Sequence, residues 1–77
     1  MNYLDEFTGV MNNRIHSFDG RLGMNNYITN TTEKVALDTI EGLVVEIKAD
    51  IQAGKGVVAK TKAVDIANLA LILWKRL

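Results

Sequence analysis

AVDIANLALILW, residues 63–74, is the most apolar stretch of the chain, and its spacing predicts the architecture around it. The unbroken apolar run, Leu69 to Trp74, is far shorter than the roughly 20 residues a membrane-crossing helix needs. The pattern instead predicts the end of a bundle helix over about 57–77. Val57, Val64, Ala67, Leu71 and Trp74 form one stripe; Ile66, Leu69, Leu73 and Leu77 form a second. A helix apolar on two faces has to be covered on two sides. One side is expected to pack on the preceding helix, and the other needs the first helix or another subunit. Lys75 and Arg76 close the helix, where positive charge suits the dipole.

Upstream, Gly54-Lys55-Gly56 predicts a tight helix stop, because glycine readily takes the left-handed conformation found there. A second helix is expected over about 31–53. Asn30-Thr31-Thr32-Glu33 reads as its capping box, and Leu37, Ile40, Val44, Ile47 and Ile51 as a heptad-like packing stripe. The short glycine turn makes these two helices antiparallel neighbours. A shorter helix over about 2–17 carries Leu4, Phe7, Met11 and Ile15, with Asn2 as its cap. Asp19-Gly20, Gly23 and Asn25-Asn26 predict an irregular connection over 18–29. The expected fold is all-α: an antiparallel hairpin of two long helices plus a shorter N-terminal helix, in one domain spanning 1–77.

With 77 residues, the chain supports one small core. It has no cysteine, so disulfides and thiolate metal sites are excluded, and self-association becomes the leading route to stability. We therefore expect a homo-oligomeric helical bundle, with Leu69, Leu73, Trp74 and Leu77 as interface residues. Net charge is zero, which leaves no global field to recruit nucleic acid or an acidic membrane. With neither a basic start nor an early apolar stretch, the sequence reads as cytoplasmic. The absence of proline favours long uninterrupted helices.

The candidate chemistry sits where polar residues interrupt the apolar stretch. Asp65 and Asn68 share a stripe with Thr61 and Ile72. A buried carboxylate needs a cation or a metal. Antiparallel register across the glycine turn places Glu46 near Val64 and Asp65, with Asp50 one turn from Glu46 and Lys62 one turn from Asp65. Two readings stay open. Glu46, Asp50 and Asp65 could hold a hard divalent cation such as Mg²⁺. Alternatively, Lys62 could neutralise Glu46 and Asp50 in an ion-paired network that fixes helix register.

The segment Glu33 to Leu77 resembles the MazG-like all-α NTP pyrophosphohydrolases. KAVDIANLALIL is similar to that family's second acidic motif, with Asp65 at its acidic end, and VVEIKADI to the end of the first, with Glu46 as second acid. The resemblance implies an all-α hairpin that binds Mg²⁺ around a nucleoside triphosphate. Two expected acids are missing: Leu43 and Lys62 stand in their places. That departure turns the expectation away from catalysis. The chain also resembles short helical accessory proteins of tailed bacteriophages. The resulting expectation is a non-catalytic oligomeric binding protein, without cofactor, acting on a host protein or a nucleotide-type ligand. The alternatives are an Mg²⁺-dependent pyrophosphohydrolase and a structural oligomerisation module.

Other features carry less. Gly54 to Thr61 resembles a P-loop with Ala59 in place of the second glycine, but that motif follows a strand and residues 43–53 read as helix. Lys55 and Lys60 near a helix N-terminus suit an anion. His16 is the only histidine and reads as a helix-end residue. Tyr3, Phe7, Phe18 and Tyr27 have too few basic neighbours for a nucleic-acid groove and read as packing or interface residues.

Overall fold

The computed structural model of the protein describes residues 2–18 and 31–77. Every regular element among them is an α-helix: α1 (Tyr3–Phe18), α2 (Glu33–Gln52) and α3 (Gly56–Arg76). The expected connection after α1, with Asp19-Gly20, Tyr27 and Asn30, lies outside the described residues. No helix among them is long and apolar enough to cross a membrane.

Local chemistry sets the helix ends. The Asn2 side chain accepts the Asp5 N–H at 2.8 Å, a standard N-terminal cap. At α2 the cap is Thr32, whose Oγ1 accepts the Val35 N–H at 3.1 Å. The helix thus begins two residues later than an Asn30 cap requires. Glu33 falls in the first turn, outside the capping-box position, and bonds Arg76 Nε at 3.1 Å. α2 ends in paired bonds characteristic of a left-handed stop. The Lys55 N–H donates to the Asp50 carbonyl at 2.7 Å, and the Gly54 N–H to that of Ile51 at 3.2 Å. Gly54 has φ +74°, a conformation only glycine takes without strain.

α3 is the central element. It packs against both α1 and α2, and among the described residues the backbones of α1 and α2 do not come within packing distance of each other. Two helices of the same chain thus cover the middle of both apolar faces of α3, burying Val64 and Leu69, while Val57, Trp74 and Leu77 at its ends stay exposed. Asp50 bonds Lys62 and Glu33 bonds Arg76, so positions that rise along α3 fall along α2. The described apolar core comprises Ile15, Ala36, Ala59, Val64, Leu69 and Ile72, with Ile72 wholly inaccessible. α1 enters it at one end only: Ile15 is buried, whereas Leu4 is 67% exposed.

The face α2 turns to α3 differs from the expected stripe. Glu33, Ala36, Ile40, Leu43, Ile47 and Asp50 are buried or half-buried, whereas Leu37, Val44 and Ile51 are exposed. Apolar residues cover a broad arc of α2, wide enough for two rotations. The rotation adopted buries small Ala36, and the ion pairs Glu33–Arg76 and Asp50–Lys62 lie near the two ends of α2 in it.

Candidate functional site

The polar residues singled out in the sequence fall into two groups on different sides of α3. The first joins α3 to α2. Lys62, one turn before Asp65, lies 2.7 Å from Asp50 Oδ2 and 3.3 Å from Glu46 Oε1. One ammonium bridges two carboxylates that are themselves a turn apart. Its hydrogen bond to Asp50, followed by that to Glu46 and their charges, raises the Lys62 pKa against the opposing effect of burial. The lysine stays charged across the physiological range.

The second group joins α3 to α1. Asp65 takes two bonds from the Arg14 guanidinium, Nε to Oδ1 at 2.9 Å and Nη2 to Oδ2 at 3.2 Å. This two-pronged geometry matches the planar faces of the two groups. The hydrogen bond and then the charge of Asp65 raise the Arg14 pKa. Next to it, buried Asn68 donates from Nδ2 to the Met11 carbonyl at 3.1 Å. Asp65 and Asn68 thus interrupt the apolar stretch because they clasp α1, and Arg14 with Met11 reads their positions.

Asp65 therefore does not join Glu46 and Asp50. Antiparallel register fixed its height on α3 but not its direction, and the three-position step from Lys62 to Asp65 turns it toward α1. Among the described residues no three His, Cys, Asp or Glu side chains come together as a metal site. Arg14 is the residue the sequence reading missed. The available signal was a lone arginine beside the α1 stripe, next to Ile15 and one turn after Met11.

The four expected interface residues also separate. Leu69 is buried inside the chain and Leu73 half-buried, while Trp74 and Leu77 are 70% and 90% exposed. The P-loop-like segment is a helix end followed by a helix start, with no preceding strand. A cleft of about 260 Å³ lies between α1 and α3, lined by Val10, Asn13, Arg14, Thr61 and Val64. Its one charged lining group, Arg14, is already held by Asp65. No family model, no curated protein and no solved structure matches the chain.

Proposed function

We propose that this chain is a small non-catalytic binding protein that engages a host protein in the cytoplasm, as accessory proteins of tailed bacteriophages do. In this reading α2 and α3 form an antiparallel hairpin, α1 is clasped to it, and the chain works as an oligomer. One observation carries the non-catalytic part. Each acid of the candidate metal set already has a cation from within the chain: Arg14 for Asp65, and Lys62 for both Asp50 and Glu46. A divalent ion would have to displace these bonds and unite carboxylates that point to different helices. The preference for a protein over a nucleotide rests on the surface. Tyr3, Leu4 and Val10 on α1, and Trp74 and Leu77 at the end of α3, expose large apolar side chains suited to a partner's surface.

The test is direct. The protein is incubated with Mg²⁺ and a panel of nucleoside triphosphates, and released pyrophosphate is measured. No turnover is expected. Turnover that Glu46→Ala abolishes would overturn the reading in favour of the MazG-like alternative. A capture experiment from host lysate then compares the wild-type chain with Tyr3→Ser/Leu4→Ser, and partner loss in the variant is expected.

A further inference from the structure

The exposed stripe on α2 has a shape and a charge pattern of its own. Leu37, Val44 and Ile51 are 48%, 40% and 65% exposed, although apolar side chains of this size gain from burial. Their spacing of seven lines them up along the helix for about 21 Å. The face α2 turns to α3 lies roughly 70° around the helix from this stripe, and α1 makes no close backbone approach to α2 among the described residues. The described residues therefore leave the stripe about half open.

The charges beside it name the occupant. Glu41 and Lys48 each lie four residues after a stripe residue, so both flank the same edge. Both are exposed, and among the described residues neither has an ion-pair partner. When two such helices run antiparallel, equivalent flanks meet with their numbering reversed. A two-fold axis at Val44 sets Leu37 against Ile51 of the other copy, Val44 against Val44, and Glu41 against Lys48 twice over. Apolar line and flanking charges are then self-complementary about one axis, as a two-fold interface requires.

We propose that Leu37, Val44 and Ile51 form the interface with a second copy of this chain, α2 against α2 in antiparallel, with reciprocal Glu41–Lys48 pairs at its edge. The proposal rests on the oligomeric part of the function above and replaces the expected α3 interface with a face of α2. A single helix pair buries less than the roughly 1,200 Å² of a standard interface, so the dimer is weak and concentration-dependent.

Sedimentation equilibrium from low to high micromolar protein tests it, with no host protein present, so its outcome is separate from that of the capture experiment. The wild type should pass from monomer to dimer. Val44→Asp changes an exposed position, so its circular dichroism should match wild type while its dimer Kd rises on the order of 100-fold, two valines leaving the interface at once. Glu41→Lys and Lys48→Glu should each weaken self-association by roughly 3- to 10-fold, and the two variants mixed should form a heterodimer in native mass spectra. The double variant should recover wild-type affinity. A wild-type monomer at every concentration overturns the proposal. So does a dimer indifferent to Val44→Asp, or charge variants that associate no better mixed than alone.

Discussion

The clasp between α1 and α3 yields a quantitative expectation. In a double-mutant cycle, Arg14→Gln and Asp65→Asn are made singly and together, so that each change keeps a polar side chain of similar size. The pair is two-pronged, with side-chain exposures of 39% for Arg14 and 20% for Asp65. Fully exposed pairs couple by about 0.2–1 kcal/mol, and breaking a fully buried pair costs about 3–5 kcal/mol. Two charge-assisted bonds in partial solvent contact place the coupling at about 1–1.5 kcal/mol. A chain of this length loses about 6 °C of Tm per kcal/mol, so each single variant should melt several degrees below wild type, and the double variant scarcely lower than either. Urea denaturation followed by helical dichroism, at one fixed protein concentration, measures all four. Each single variant leaves a group that water can reach, which keeps the effect below the buried limit. A coupling under about 0.3 kcal/mol would refute the reasoning. Asp65 would then not be occupied by Arg14 in solution, and the main obstacle to its binding a metal would be gone.

Lys62→Met leaves Glu46 and Asp50 facing each other without their bridging cation. Added Mg²⁺ should raise the Tm of this variant and leave the wild type unchanged, which a thermal melt with and without the ion reads directly. Gly54→Ala should cost about 1–2 kcal/mol in denaturant titration, because φ is +74° and a new Cβ meets nothing within 4 Å, so backbone strain is the whole effect. The pH limbs of stability follow from two shifts. The Glu33 pKa is lowered first by its own backbone N–H and then by Arg76, so its contribution is present above the ordinary glutamate value and lost as pH falls through the folded one. The Lys62 pKa is raised, so its contribution is complete below the ordinary lysine value and lost as pH rises through the folded one. Glu33→Gln should flatten the acid limb and Lys62→Met the alkaline limb.

Much of this was legible along the chain because it depends on neighbours a few residues apart. The left-handed stop at Gly54 follows from one glycine behind an apolar-periodic run. The Asn2 cap needs only the residues it bonds. The capping-box reading at α2 missed because Asn30, Thr31 and Thr32 are all competent caps and local sequence does not choose among them; Thr32 caps the helix and Glu33 pairs with Arg76 on another helix. The candidate site was half-legible. Lys62 with Glu46 and Asp50 follows from the register of two helices joined by a short turn. Arg14 with Asp65 does not, since 51 positions separate them and no local pattern ties one to the other.

By itself, then, the sequence determined the helices, the glycine stop and the set of polar residues that interrupt the apolar stretch. Each of these is governed by backbone propensity or by spacing within a few turns. Tertiary structure decided which way each helix is rotated. An apolar arc wider than one stripe is compatible with more than one angle, and the choice depends on residues distant in sequence that the local pattern does not specify. In α2 the rotation adopted turns Ala36 inward, leaves Leu37, Val44 and Ile51 exposed, and lets Glu33 pair with Arg76 and Asp50 with Lys62. On α3, the same kind of choice sent Lys62 to α2 and gave Asp65 to Arg14. A set of acids that a linear reading gathers into one site is thereby divided between two helix contacts.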